Sequence, residues 1–231
     1  MLTTPTHDPD WTDAVTRAAL RPPTYPARPI NGGPLEKARP KSGEWMVESK
    51  YNGWRAWLHV PTGMMFNRKN EPLSITAEFA PAIATLQAAV RSTFEWLDVE
   101  ALERRHGIGR GSLIWFDTPT PGTWQERRFL MSVIAAVHQL PVHKDLNQPV
   151  APNAVYLPMH WRWAGVTDFT LAVQGAPVTT NLWQILQQCN TALGCEFFEG
   201  LVAKRTDSPY PIQLRSPDVE FPFWMKHRWA F

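Results

Sequence analysis

Proline occupies 22 of the 231 positions and glycine only 13. A proline ring locks φ and deletes a backbone donor, so it is excluded from helix interiors and central strands and favours turns and extended connections. A chain with so many prolines is expected to be short elements joined by fixed turns. The length suits one large domain, or one domain with short extensions. It is enough to bury a core without disulfides or a structural metal.

Residues 1–43 are rich in Pro, Thr and charge. The run Arg21-Pro22-Pro23-Thr24-Tyr25-Pro26 reads as an extended, polyproline-like arm outside the core. A short helix over residues 10–20, capped by Asp10, precedes it. The catalytic body is expected to span residues 44–231. Strands are expected over residues 44–48, 54–60, 64–67, 96–101, 112–116, 198–203 and 223–227, with turns at residues 50–53 and 61–63. Phe79, Ile83, Leu86 and Val90 recur at helical spacing within residues 76–92, and further helices are expected over residues 126–140 and 182–193. Strands and helices mix without strict βαβ alternation, which predicts an α+β fold of packed antiparallel sheets with flanking helices.

The net charge of +2 is too small for a polycation, so a nucleic-acid partner requires a local basic groove. The 12 Trp serve as core filling or as stacking surfaces. Cys189 and Cys195 form neither a disulfide framework nor a zinc pattern, and read as buried thiols in a reducing compartment. Residues 1–20 carry acids and no apolar run, unlike a secretory signal, and no stretch reaches the length of a membrane span. A cytoplasmic chain with no membrane partner is expected.

Five segments carry chemistry-bearing side chains. In Glu48-Ser49-Lys50-Tyr51-Asn52-Gly53-Trp54-Arg55 a lysine sits on a short connection with a glycine turn and an arginine. A lysine attacks phosphorus only as a neutral amine, and nearby cations favour that form. Leu97-Asp98-Val99-Glu100 places two carboxylates two apart on one strand face, fit for a ribose hydroxyl or a metal-bound water. Leu113-Ile114-Trp115-Phe116-Asp117 ends in an aromatic that offers a face to a purine. Glu199-Gly200-Leu201-Val202-Ala203-Lys204 puts an acid and a base at the two ends of an apolar strand. Trp224-Met225-Lys226-His227-Arg228 sets two cations on one face, a phosphate clamp. Each segment alone also reads as an ordinary hairpin, edge strand, core strand or amphipathic strand.

In this order the five segments resemble the motifs of the covalent nucleotidyltransferases: DNA ligases, RNA ligases and mRNA capping enzymes. Residues 50–55 resemble the Lys-x-Asp-Gly-x-Arg motif, residues 97–100 the Asp-Gly-Glu segment, and Phe116-Asp117 the adenine-stacking segment. Residues 199–204 resemble the Glu-Gly-(apolar)-(apolar)-x-Lys motif, and residues 224–228 the final Lys-x-Lys motif. The paired Arg127 and Arg128 resemble a helix start of DNA ligases. The resemblance covers residues 44–229 and implies a nucleotidyltransferase (ATP-grasp-like) domain without an OB-fold domain.

The resemblance also implies roles. Lys50 is the nucleophile that takes AMP. Glu48 lies where the family reads the adenine edge, Arg55 contacts ribose or phosphate, and Arg68 engages the phosphate end of the substrate. Glu100 hydrogen-bonds the ribose, Phe116 stacks on the purine, and Glu199 with Glu100 holds a divalent metal, Mg2+ or in its place Mn2+. Lys204 is the motif lysine, and Lys226 and Arg228 grip the α-phosphate of ATP. The implied activity is that of a monomeric, minimal ATP-dependent DNA ligase acting on nicked duplex DNA. An RNA ligase with a stand-alone domain and a non-catalytic nick-binding module are the alternatives, and nothing reads guanine in particular. Asn52, Val99 and Arg228 depart from the usual Asp, Gly and Lys. For the basic motif of the OB-fold the alternatives are a catalytic core that works alone, a partner protein, or the N-terminal arm, whose Arg17, Arg21, Arg28, Lys37, Arg39 and Lys41 suit a phosphate backbone.

Overall fold

The computed structural model describes residues 19–33, 35, 42–102, 107–163, 169–171 and 178–229. Among these, the strands are β1 (Arg28–Asn31), β2 (Trp45–Tyr51), β3 (Trp54–His59), β4 (Met64–Phe66), β5 (Trp96–Leu102), β6 (Ser112–Asp117), β7 (Val142–His143), β8 (Val155–Pro158), β9 (His160–Trp163), β10 (Phe169–Leu171), β11 (Val178–Thr180), β12 (Phe198–Arg205) and β13 (Glu220–Arg228). The helices are α1 (Ala80–Val90), α2 (Trp124–Val137) and α3 (Leu182–Leu193), with a 3-10 turn at Ser74–Phe79 before α1.

The strands form two sheets, ordered β1-β13-β12-β2-β9-β10-β11 and β4-β3-β5-β6-β8-β7. The first is called sheet A below and the second sheet B. The fold is α+β, as the mixture of patterns implied. The sheets are not wholly antiparallel: β1 lies parallel to β13, and β8 lies parallel to both β6 and β7.

Local chemistry accounts for the helix ends. Thr123 and Glu126 form a reciprocal capping box, which starts α2 at Trp124, two residues before the apolar periodicity does. Pro81 has no N–H to give, which suits the first turn of α1, so the single helix expected over residues 76–92 divides into the 3-10 turn and α1. Asn181 caps α3, and Gly194 closes it in the left-handed region at φ 69°.

Strand alternation then sorts the side chains into layers. In sheet B, Leu58, Leu97, Val99, Leu113 and Trp115 point outward against Ile83, Leu86 and Val90 of α1 and Met131 and Ile134 of α2. In sheet A, Trp45, Val47, Leu201 and Ala203 point outward against Leu182, Leu186 and Cys189 of α3. The opposite faces of the two sheets look toward each other, and their polar residues are not needed for either core.

A third cluster joins the sheets at one end, with Trp57, Phe66 and Trp96 of sheet B against Ala27, Tyr210, Phe221 and Trp224. This changes the expected boundary at residue 44. Pro22, Thr24, Pro26 and Ala27 are buried, and residues 28–31 are a strand of sheet A. The run is extended, as its prolines require, yet it belongs to the folded body. Residues 10–18 of the expected first helix, with Arg17, Lys37, Arg39 and Lys41, lie outside the described residues.

One bulge decides where an acid points. Lys50 pairs with Gly200 and Tyr51 with Phe198, so Glu199 is an extra residue in β12. Without it, Glu199 and Lys204, five apart, would face opposite sides. Gly200 makes the bulge possible: its φ is 142°, and a Cβ there would lie 1.9 Å from the His227 carbonyl oxygen. Gly200→Ala is therefore expected to cost about 3 kcal/mol or more in urea unfolding. A loss well under about 1 kcal/mol would mean that the bulge relaxes freely.

Candidate active site

Between the facing sheets lies a cleft of about 670 Å³. Sheet A contributes Glu48, Lys50, Glu199, Lys204, Lys226 and Arg228; sheet B and its turns contribute Arg55, Arg68, Glu100 and Phe116. These ten residues thus line one cavity, although they come from segments far apart in the chain, and Asp98 is not among them.

Lys50 stands near the end of β2, where its Nζ lies 3.0 Å from Glu199 Oε2. Arg228 Nε approaches the same oxygen at 2.9 Å. The sequence places cations beside Lys50; the structure adds a carboxylate between Lys50 and Arg228. Lys226 is close enough to both to feel their charge. Burial, then Arg28 and Arg228, push its ammonium below the usual lysine range; Glu220 opposes them, and Lys50 adds a smaller push downward.

Glu100 receives the Gly53 N–H at 3.1 Å. A Cβ on Gly53 would lie 2.6 Å from the Ala101 carbonyl oxygen, so this approach requires glycine. Burial lifts the Glu100 carboxyl to about 7, with Glu199 adding to the rise and Lys50, Arg55 and the Gly53 bond opposing it. Asp98, expected to work with Glu100, does other work. Arg55 grips it with bonds of 2.9 and 2.5 Å, and Tyr210 donates to it at 2.6 Å. Arg55 also donates to the Ala27 carbonyl. Its guanidinium is largely committed to the protein, leaving little of the ligand-binding role expected for it.

The floor of the cleft is a buried charge network. Lys204 is 1% exposed, with Nζ 2.7 Å from Glu48 Oε1 and 3.8 Å from Asp117 Oδ2. It lies 4.8 Å from the centre of the Phe116 ring and 4.5 Å from that of Trp224. His160 donates to the second Glu48 oxygen at 3.0 Å. Burial alone would raise the Glu48 carboxyl, but Lys204 and His160 hold it at about 2. The His160 imidazole is driven down to about 4 by burial and by Arg128, with Glu48 opposing, so it is neutral at pH 7. Arg127 closes the network with a two-point bond to Asp117, at 2.8 and 3.3 Å.

Sequence reading missed His160 and Asp117 as a charge partner; Arg28, named only as one of the arm cations, also lines the cleft. The alternating residues 160–163 were a strand signal, but nothing local marks a histidine as the partner of a residue 112 positions away. Asn52 turns from the cleft: its Nδ2 donates to the Glu196 carbonyl at 2.9 Å, which a carboxylate in its place could not do.

No group of three or more His, Cys, Asp or Glu converges among the described residues. Glu199, whose Oε2 is held by Lys50 and Arg228, nonetheless lines the cleft together with Glu100, which feels its charge. Two carboxylates facing a space open to phosphate and water are the donor set Mg2+ accepts, so the residues fit such an ion once a nucleotide completes the shell.

Solved structures with a similar architecture include the ligase domain of M. tuberculosis LigD, at 17% identity and a TM-score of 0.52, covering 89% of this chain and 59% of that one. Another is Chlorella virus DNA ligase-adenylate, at 14% identity and a TM-score of 0.53, covering 89% of this chain and 67% of that one. The fold is the nucleotidyltransferase fold of DNA ligases. This chain spans about three fifths of the LigD ligase-domain chain. No family model and no curated protein matches it. No described helix is long and apolar enough to cross a membrane. Within this nucleotidyltransferase fold, the facing polar surfaces of the two sheets make the cleft.

The network predicts acid sensitivity. Between pH 6.5 and about 4 the unfolded chain binds a proton at His160 that the folded chain refuses, so stability falls as pH drops through that window. Glu48 extends the fall from about 4.5 toward 2, while Glu100, raised to about 7, acts in the opposite sense between 4.5 and 7. Comparing wild type with His160→Gln isolates the histidine: the stability difference in urea melts should shrink from pH 7 to pH 4. A difference independent of pH would remove His160 from the account.

Proposed function

We propose that this chain is an ATP-dependent polynucleotide ligase, a minimal DNA ligase that works through a lysyl-AMP intermediate at Lys50. The observation that carries the reading is the convergence of ten candidate residues on one cleft, where Lys50 and Arg228 share Glu199. The likeness of fold to DNA ligases supports it.

In this reading ATP enters with its adenine against Phe116 and its ribose near Glu100. Lys50 Nζ, as a neutral amine, attacks the α-phosphorus; an N–P bond forms, the P–O bond to pyrophosphate breaks, and the amine proton goes to solvent. Lys226 and Arg228 face the phosphate and stabilise the charge it gains. Mg2+, when bound beside Glu199 and Glu100, supplies neutralisation of phosphate charge. The AMP then passes to a 5′-phosphate, and a 3′-hydroxyl displaces it to seal the strand. Arg68 and Lys69, exposed at the cleft edge, suit a polynucleotide backbone. Glu48 and Lys204 position Phe116 and the cleft floor in this scheme.

Intact mass after incubation with ATP and Mg2+ tests the reading. Wild type should gain one AMP, lose it with pyrophosphate, and seal a nicked duplex; Lys50→Ala should gain nothing while melting normally. Glu199→Ala should slow adduct formation by about 100-fold or more, the scale of losing one electrostatic contact to a transition state. Adduct formation by Lys50→Ala would overturn the assignment. Sealing of RNA but not DNA nicks would make the chain an RNA ligase, and nick binding without any adduct would make it a binding module.

A further inference from the structure

Residues 24–31 bridge the two sheets beside the cleft. Toward sheet B, the Ala27 carbonyl accepts from Arg55 and the Thr24 carbonyl accepts from Asn70 at 3.2 Å. On the other side, the Leu214 N–H of the β12–β13 connection donates to Thr24 Oγ1 at 3.0 Å, the Ala27 N–H donates to Tyr210 of the same connection at 3.3 Å, and β1 runs along β13 of sheet A. Pro26 and Pro29 fix the backbone on either side of Arg28. The segment is pinned from both sides, and its one cation lines the cleft.

Arg28 has partners it can leave. Its guanidinium lies 3.5 Å from Asp218 and 3.8 Å from Glu220, whose side chains are 80% and 44% exposed. Ion pairs this long and this open to water contribute little, so a multiply charged ligand can displace them. Lys226 is acted on by Arg28 and Arg228 and, less strongly, by Lys50, which sets it among these three cations. A triphosphate with its α-phosphorus at Lys50 and its outer phosphates running along Lys226 on β13 meets Arg28 on the neighbouring strand β1, in the same cleft.

We propose that Arg28 binds the outer phosphates of the nucleotide and the pyrophosphate that leaves, which makes the segment 24–31 part of the nucleotide site. The inference rests on the lysyl-AMP reading. As Lys50 Nζ bonds to the α-phosphorus, the electron pair of the breaking P–O bond stays on pyrophosphate. The guanidinium is suited to that growing charge through two parallel N–H donors.

The test separates this inference from the reading beneath it. In a Lys50→Ala background, which prevents transfer, affinities for ATP and AMP are measured with Arg28 intact, as Arg28→Ala and as Arg28→Lys. Arg28→Ala should weaken ATP about tenfold or more and leave AMP within about twofold, the scale of one charge-assisted contact. Arg28→Lys should restore part of the loss. In chains with Lys50 intact, Arg28→Ala should slow adduct formation from ATP far more than sealing of a pre-adenylylated nick, a step without pyrophosphate. Equal losses for ATP and AMP, or for adduct formation and sealing, would overturn the pyrophosphate role. If ATP outbinds AMP as strongly without Arg28, this inference alone fails. If the chain binds neither nucleotide, the lysyl-AMP reading fails and takes the inference with it.

Discussion

The Glu48–Lys204 ion pair is the constraint on which the rest of the structure depends. The two residues stand on adjacent strands of sheet A, and both are almost fully buried. Lys204 also donates to the Phe116 carbonyl at 3.4 Å, so one ammonium ties sheet A to the middle of sheet B. Asp117 then passes the link to Arg127 on α2, and Glu48 passes it to His160 on β9. Burying these charges is unfavourable in itself, and removing one partner of such a pair typically costs about 3–5 kcal/mol because the other is left uncompensated. A network of this kind holds few alternative arrangements, which keeps the cleft floor at one geometry.

Above that floor the cleft is polar because two cores are satisfied elsewhere. Each sheet buries its apolar face under helices, and the aromatic cluster around Trp57, Trp96 and Trp224 joins the sheets at one end. The tryptophans mostly fill core; Trp54, 39% exposed at the cleft, is the one whose face is open to a ligand or a nucleic acid among those with a described setting at this site. The small net charge hides a local concentration of cations. Lys50, Arg68, Lys69, Lys226, Arg228 and Arg28 all face the same cavity, where they set the local potential far more than the chain average does.

The electrostatic character of the cleft also divides labour among like residues. Of the two acids two apart on β5, Asp98 is spent on Arg55 and Tyr210, while Glu100 remains at the cleft with its carboxyl raised. Of the lysines, Lys204 is locked in the floor and Lys50 remains partly open, 16% exposed. Residue type alone would have made each pair equivalent.

What the sequence determined by itself was local. Period-two alternation and turn residues located β2, β3, β5, β6, β12 and β13 to within a few positions, and the ordered motifs with Arg68 named ten of the side chains that line the cleft. These are short-range signals, written within about ten residues of each site. The strand β1 was not legible, because four residues that include Pro29 carry no alternation and pair only with a strand some 190 positions on. Nor was the direction of Glu199: its five-residue spacing from Lys204 argues for opposite faces until the bulge at Gly200, forced by neighbouring strands, turns it inward. Tertiary structure alone decided that His160 serves Glu48, that Arg55 belongs to Asp98, and that Arg28 reaches the cleft. The reason is physical: a charge takes whichever counter-charge the packed sheets bring within a few ångströms, and that neighbour is set by long-range pairing rather than by anything adjacent in the chain.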